Sequence, residues 1–358
     1  MKNLDSAAQK SMPLVSILVL NYNGKKYLKD CIESLLHCSY PNYEIILIDN
    51  NSTDDSISYL KNNYSQIKIL LMERNEGYSR AYNIALKQAK GKYCVLLNFD
   101  VIVHPNWLDY LVAAAEQDDT IAALQPKLLS AIDQGYFEYA GASGGYIDKY
   151  GYPFLRGRIF YSIEQDMGQY NDAVEVFWTS GAALFIRSEV LHKSGLLDED
   201  FFLHMEEIDL CWRLHLQGYR LKVIPQAVIY HHVGASLPQG SFMKYYWNHR
   251  NNIIMLLKNI EHKKLLNIML PRVILDFINI FFSLIINFDS KHAFAIIKAY
   301  GWILTHLKLI VRKRKEVQHK RLVQDEQFQH LIYNKSLIMA YFLKRRQTFT
   351  SLKFMIHE

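Results

Sequence analysis

Four cysteines (Cys31, Cys38, Cys94 and Cys211) are all that this chain of 358 residues contains, with no C-x-x-C pair and no histidine at zinc-finger spacing. Neither a structural zinc site nor a disulfide framework is indicated, and the chain reads as one suited to a reducing cytoplasm. Glycine and proline are sparse, at 16 and 8 residues, while 50% of the chain is hydrophobic and 21% is charged. That composition excludes collagen-like, mucin-like and wholly disordered chains. Met1 to Ser11 lack the apolar core of a signal peptide, so no secretion is expected. No G-x-G-x-x-G follows the first apolar run, and neither G-x-x-x-x-G-K-[ST] nor G-x-S-x-G occurs, so dinucleotide-dependent dehydrogenase, P-loop kinase and serine hydrolase readings lose their main support.

What is present is unevenly charged. Residues 1–240 carry 21 Lys and Arg against 28 Asp and Glu, a balance of −7, and residues 241–358 carry 20 against 7, a balance of +13, which together give the net +6. A mildly acidic front and a strongly basic tail have different partners, and a basic tail attracts either nucleic acid or an anionic membrane.

Along the acidic part, short apolar runs alternate with helical periodicity. The pattern predicts strand 14–20, a helix near 25–37 with Leu28, Cys31, Ile32 and Leu35 on one face, strand 44–48, a helix from about 53, strand 67–72, helix 77–90, strand 93–97 and a helix from Pro105. Four such repeats predict an α/β fold with a mostly parallel central sheet covered by helices. Ligands bind beyond the carboxyl ends of the strands of such sheets, here Asn21, Asp49, Glu73 to Gly77 and Asn98 to Asp100. Residues 130–175 break the rhythm with a Gly- and Tyr-rich stretch that reads as loops and short strands, and a loop of that length is functional or mobile. Strand 181–186, helix 205–217 and strand 220–224 follow.

Four constellations can carry chemistry. In Asp49-Asn-Asn-Ser-Thr-Asp-Asp55, Ser52 or Thr53 can cap the next helix and Asp54 and Asp55 suit its positive end, while Asp49 either accepts hydrogen bonds from a base or ribose or is a plain turn residue. In Asn98-Phe-Asp100 the carboxylate either coordinates Mg²⁺ or Mn²⁺ and holds a diphosphate, or is a turn acid ahead of Pro105. Glu206-Glu207-Ile-Asp209 crowds three acids into four residues, which favours a poised general base among them, although Asp209 can also pair with Arg213 one turn on. Of His231 and His232, adjacent on a strand, at most one enters a given site, and a histidine beside a carboxylate suits Mn²⁺ somewhat better than Mg²⁺.

In order, V-S-I-L-V-L-N-Y-N-G (15–24), I-D-N-N-S-T-D-D-S (48–56), N-E-G-Y-S-R-A-Y-N (75–83), L-L-N-F-D-V (96–101), W-T-S-G-A-A-L-F-I-R (178–187) and F-L-H-M-E-E-I-D-L-C-W-R (202–213) running on to Y-H-H-V-G-A-S (230–236) resemble a family 2 glycosyltransferase of the GT-A fold, in its rhamnosyltransferase-like branch, over about 15–255. The resemblance implies that Asn21, Asp49, Asn51, Asn75, Gly77 and Asn98 line the pocket of a nucleoside-diphosphate sugar. It implies that Asp100 is the metal-binding acid of a D-x-D site whose first acid is Asn98 here, with His232 completing the shell around Mn²⁺ or Mg²⁺. The base is then an acid of the 206–209 cluster: Glu207 matches the usual position, Glu206 stands where relatives also carry an acid, and Asp209 is close enough to dispute the role. The implied reaction is an inverting transfer from a dTDP- or UDP-type donor, dTDP-rhamnose first, to a glycan or lipid-linked saccharide of a bacterial surface polysaccharide. A non-catalytic sugar-nucleotide-binding or scaffold protein of the same fold is the competing reading. The expected organisation is a polar tail at 1–12, a catalytic domain at 13–250 and a basic helical region at 251–358.

Within that basic region the apolar stretch from Leu265 to Phe288 is long enough to cross a bilayer, yet it contains Pro271, Arg272 and Asp276. Arg272, Asp276, Asn279, Ser283 and Asn287 recur at helical spacing and draw one polar stripe down an otherwise apolar helix. A stripe of that kind belongs to a helix lying in the membrane interface or packed on the catalytic domain, not to a spanning one. A second helix over 291–311 ends in Arg312-Lys-Arg-Lys315, which suits anionic headgroups. The expected location is therefore peripheral, on the inner face of the cytoplasmic membrane, with no nucleic-acid partner.

Overall fold

The first apolar run, β1 (Val15–Asn21), is buried along almost its whole length, as a strand covered on both faces must be. After α1 (Lys25–Leu36), β2 (Tyr43–Asp49) pairs with it in parallel, and after α2 (Ser56–Asn63), β3 (Lys68–Leu71) extends the sheet to its edge. The chain then crosses by α3 (Gly77–Leu86) to β4 (Tyr93–Asn98), on the other side of β1. Helix α1 buries Leu28, Cys31, Ile32 and Leu35, the face its periodicity predicts. The computed structural model describes residues 12–232 and 240–354; the predicted polar tail up to Ser11 and the Val233–Ser236 end of the last motif lie outside the described residues.

Beyond β4 the sheet becomes mixed. Next in the chain come β5 (Val101–Val103), α4 (Trp107–Gln117), β6 (Ile121–Ser130), a smaller sheet of β7 (Gly145–Asp148), β8 (Pro153–Leu155), β9 (Arg158–Ile159) and β10 (Ser162–Ile163), and then β11 (Val174–Glu175) and β12 (Ala183–Arg187). Strand β12 slots in antiparallel between β4 and β6. After α5 (Ser188–Ser194) and α6 (Glu206–Leu216), β13 (Arg220–His231) lies parallel to β6 and antiparallel to β5. The strand predicted over 220–224 thus continues past an irregularity between Ile224 and Val228 as far as His231.

The tail does not separate cleanly at residue 250. Helix α7 (Phe242–Asn259) runs through that point, and after α8 (Leu265–Ile285), α9 (Ser290–Thr305) and α10 (Leu307–His319) the chain adds β14 (Ile332–Tyr333) in parallel to β7. Leu331, Tyr333 and Phe349 share one apolar core with Leu18 and Ile46. The tail is therefore part strand, and it completes the Gly- and Tyr-rich region instead of standing apart from it. The single helix predicted over 291–311 is two, α9 and α10, bent by 76°.

Helix α8 carries its polar stripe inward: its buried residues are Arg272, Asp276 and Ser283. The Arg272 guanidinium bonds Asp276 at 3.1 Å, the Tyr150 carbonyl at 3.0 Å and the Asn252 side chain, and Asp276 also accepts from the hydroxyls of Tyr152 at 3.1 Å and Tyr300 at 2.8 Å. Removing one partner of a buried pair leaves an uncompensated charge. Asp276→Ala is expected to cost about 3–5 kcal/mol in chemical denaturation. The double change Arg272→Met, Asp276→Leu is expected to cost clearly less, and equal losses would show that hydrogen bonding to Tyr152 and Tyr300, not charge, holds the helix.

Candidate active site

At the ends of β1 and β2 four polar side chains are locked together. Nδ2 of the fully buried Asn21 is within hydrogen-bonding distance of Asp49 Oδ1 at 3.0 Å, Ser52 Oγ at 3.1 Å and Ser56 Oγ at 3.0 Å, which share its two N–H groups, and Asp49 Oδ2 accepts the Ser52 N–H at 3.1 Å. Helix α2 begins only at Ser56, so Asp55 and not Ser52 or Thr53 stands at its N-cap position, without a side-chain cap, while Ser52 Oγ is taken up by Asn21 and by the Asn23 N–H at 2.9 Å. Asn51 is exposed with left-handed backbone (φ +64°), and it is its neighbour Asn50 that binds the adjoining loop, donating to Asn75 Oδ1 at 3.0 Å and accepting from the Glu76 N–H at 2.8 Å. Asn75 Oδ1 in turn accepts the Gly77 N–H at 2.9 Å. Gly77 is required here: its φ is +73° and a Cβ would lie 2.4 Å from the Phe202 carbonyl oxygen.

At the end of β4, Asp100 is buried and its Oδ1 lies 3.1 Å from Nε2 of His231, whose Nδ1 is 3.2 Å from Oε1 of the fully buried Glu138. Burial alone would lower the His231 pKa, but the carboxylates of Asp100 and Glu138 outweigh it and hold the ring well above its ordinary value. The imidazole that reaches Asp100 is therefore that of His231, not His232. Pairing of His231 with Val101 across β13 and β5 turns its side chain inward, whereas His232, just past the strand, packs its ring on Tyr27 at 4.8 Å and meets Asp100 only through its backbone N–H at 2.9 Å.

Helix α6 brings the acid cluster to the same place. It follows two consecutive left-handed residues, His204 (φ 72°) and Met205 (φ 71°), and opens with Glu206 and Glu207. Each has an Oε2 that is buried without a hydrogen-bond partner. The Glu207 carboxyl carbon is 3.6 Å from where a Cβ on Gly181 would stand, and the next residue, Ala182, accepts the Asn98 N–H at 3.1 Å, so Glu207 sits beside the end of β4. Burial pushes the Glu207 pKa up to about 7, against the pull of its own and the Ile208 backbone N–H groups. Glu206, more deeply buried and facing the Glu207 charge, is held well above the ordinary range. Asp209, by contrast, is fully buried and engaged, with Arg213 Nε at 3.0 Å, Lys258 Nζ at 3.0 Å and Asn259 Nδ2 at 2.9 Å. Of the readings open for Asp209, the ion pair with Arg213 is the one formed.

A model of glycosyl transferase family 2 matches residues 16–189, which hold the whole of the strand-end network and Asp100. Residues 16–189 of the chain are a glycosyl transferase family 2 domain. It is 30% identical over 234 residues to the O-antigen biosynthesis protein RfbC of Myxococcus xanthus, covering 63% of this chain and 18% of that one. It is 26% identical over 200 residues to glycosyltransferase GlyG of Streptococcus pneumoniae serotype 4, covering 55% and 62%. The chain thus spans less than two thirds of the length of these curated relatives. Among solved structures, GalNAc-T7 with UDP, GalNAc and Mn²⁺ superposes with a TM-score of 0.55 at 19% identity, over 70% of this chain and 48% of that one, and S. aureus TarS 1–349 with 0.51 at 16%, over 88% and 91%. These likenesses speak for the fold, which is GT-A.

Asn50, Glu138 and Gly181 join the site without having been singled out for it by sequence, and of the candidate pair His231 and His232 it is His231 that turns inward. Gly181 stands inside the 178–187 motif and Asn50 inside 48–56, so both were within reach. Glu138 carried no local signal, since only β6 and β13 lying side by side bring it to His231.

Glu207 and Asp209, two residues apart, should respond oppositely to neutralisation. A carboxyl whose pKa is raised from 4.5 to about 7 in the fold makes folding less favourable as it ionises, a cost absent below about pH 4.5 and complete above about pH 7. Glu207→Gln removes that cost, so its stability relative to wild type should rise across this window by up to about 3 kcal/mol. Asp209→Asn leaves Lys258 and Arg213 buried with too little counter-charge and should lose about 3–5 kcal/mol. Denaturant titrations at pH 5 and pH 8 decide it, and a Glu207→Gln effect independent of pH would contradict the assignment.

Proposed function

We propose that the protein is an inverting glycosyltransferase in which Glu207 is the catalytic base. The observation that carries this reading is the Glu207 carboxyl itself: half-buried, with an unpartnered oxygen, titrating near 7 and set beside the end of β4. A base poised near the working pH has the greatest reach in proton transfer. Glu207 takes the proton of an acceptor hydroxyl as that oxygen forms its bond to the anomeric carbon from the side opposite the donor. The bond from that carbon to the diphosphate breaks, its electrons leave with the nucleoside diphosphate, and configuration inverts. Burial keeps the Glu207 pKa up, and Asp209 positions the helix that carries it.

The strand-end network of Asn21, Asp49, Asn50 and Asn75 is assigned to the nucleoside, with Gly77 letting the loop close on Phe202. The residues present fit a divalent cation of the Mn²⁺ or Mg²⁺ type held in part by substrate. Asp100 and Asn98 offer hard oxygen donors, and among the described residues no group of three His, Cys, Asp or Glu could hold a metal by itself. Asp100 is the carboxylate for it, and His232, whose ring has no hydrogen bond among the described residues, is the imidazole left to join, since His231 is committed to Asp100 and Glu138. Bound there, such an ion would supply positive charge against the departing diphosphate.

One relative is named for O-antigen biosynthesis, which supports a surface polysaccharide as the acceptor, glycan or lipid-linked. The donor we propose, a dTDP or UDP sugar with rhamnose first, rests on the resemblance of the sequence motifs. The basic tail supports work at the inner face of the cytoplasmic membrane, on anionic lipid. Glu207→Gln is expected to lower transfer by roughly 10²–10⁴-fold while leaving nucleotide affinity within about twofold, and wild-type kcat/KM is expected to rise through pH ~7. A Glu207→Gln enzyme that still transfers sugar at the wild-type rate would overturn the assignment.

A further inference from the structure

Helix α8 is amphipathic the wrong way round for water. Its charged residues Arg272 and Asp276 are buried, as is Ser283, while Leu266, Leu270, Ile274, Ile278, Phe281 and Ile285 are 80, 66, 52, 56, 63 and 54% exposed. Each buried polar residue lies two positions before an exposed apolar one, about 200° round the helix, so protein and apolar face are on opposite sides. Phe294 and Ile297 of α9 are also about half exposed, and Phe288 in the turn between the two helices is 84% exposed. Large apolar side chains at this exposure add up to on the order of 1,000 Å², beyond the roughly 300–600 Å² of the largest patch on a typical soluble monomer.

We propose that the outer face of α8 and α9 is immersed in the interfacial layer of an anionic bilayer, with α8 lying in the plane of the membrane. This rests on the reading that the enzyme works at a membrane and names the surface that does the docking. A spanning arrangement is ruled out by the inward stripe: to turn across a bilayer, α8 would have to leave Tyr152, Tyr300 and Asn252, which bind Arg272 and Asp276, and carry both charges into hydrocarbon. The occupant is lipid and not a second copy because the apolar face is flanked by exposed cations, Lys291 at the start of α9 and Lys308 and Lys315 on α10. A two-fold pairing of this face would bring together two surfaces with the same excess of cations, whereas anionic headgroups complement them. The nearby acids are already used, Asp289 in capping α9 and Glu316 facing Arg312.

The test is flotation of the full chain with vesicles of phosphatidylcholine alone and of phosphatidylcholine with phosphatidylglycerol at about three to one, in low salt. Wild type is expected to float with the mixed vesicles. The variant Leu270→Gln, Ile278→Gln, Phe281→Gln, altered only at exposed positions, is expected to partition at least about tenfold less with its nucleotide affinity unchanged. Lys308→Glu, Lys315→Glu is expected to lose the preference for the anionic vesicles. Wild type that stays in solution with both vesicle types, or a triple variant that floats as well as wild type, overturns the proposal. A wild-type dimer that the triple variant disperses without vesicle binding in either form gives the face to a second copy and overturns it too. Transfer to a water-soluble acceptor, measured alongside, separates the two claims: activity without flotation defeats only the docking surface, and flotation without activity defeats only the catalytic reading.

Discussion

Asp209 holds Arg213, Lys258 and Asn259 at once, deep inside the molecule, and the position of the catalytic helix follows from it. A carboxylate removed from water is tolerable only when charge and hydrogen bonds surround it. Its partners come from α6 itself and from the end of α7, and Lys258 passes the connection on to Asp198, which also binds Lys313 of α10. The tail helices are thereby tied to the loop before α6 as well as to α6. That loop and its two left-handed residues deliver Glu206 and Glu207 to the end of β4, so the last hundred residues fix the geometry of a site whose other half is built from the first hundred.

The same rule, applied in opposite senses, separates the saturated acids from the one proposed as the base. Asp209 and Asp276 are buried and saturated, and Asp100 and Glu138 share one imidazole between them. Glu207 alone among the acids of this region combines partial access with an oxygen left unpartnered, and its raised pKa is the electrostatic record of that arrangement. Helix α8 extends the rule to a whole element: Arg272, Asp276 and Ser283 are buried against the protein, and its large apolar side chains face outward, which is the ground for the proposed docking to a bilayer.

Much of this was legible in sequence because it is local. The alternation of apolar runs with 3.6-residue periodicity located β1 to β4 and their helices, and the residues at the strand ends, Asn21, Asp49, Asn75 and Asp100, do converge at one end of the sheet. The inward-facing stripe of α8 could be read from spacing, though not which way it faced. What stayed out of reach depends on pairing across long separations. Strand β12 inserts antiparallel between β4 and β6, β14 returns to β7 from almost 190 residues away, and the extension of β13 decides which of two adjacent histidines turns inward. The choice of Glu207 over Asp209 likewise needed Lys258 and Asn259, some 50 residues further on.

The account stands on a nucleoside-diphosphate site at the ends of β1, β2 and β4 in which Asp100 answers for the cation. Calorimetric titration of UDP, dTDP and GDP, each with and without Mn²⁺, into wild type and Asp100→Ala measures that directly. The account predicts that one nucleotide binds wild type in a metal-dependent way and that this dependence vanishes in Asp100→Ala while the protein remains folded. Folded wild type that binds none of the three, or Asp100→Ala that binds with wild-type affinity and metal dependence, would contradict it.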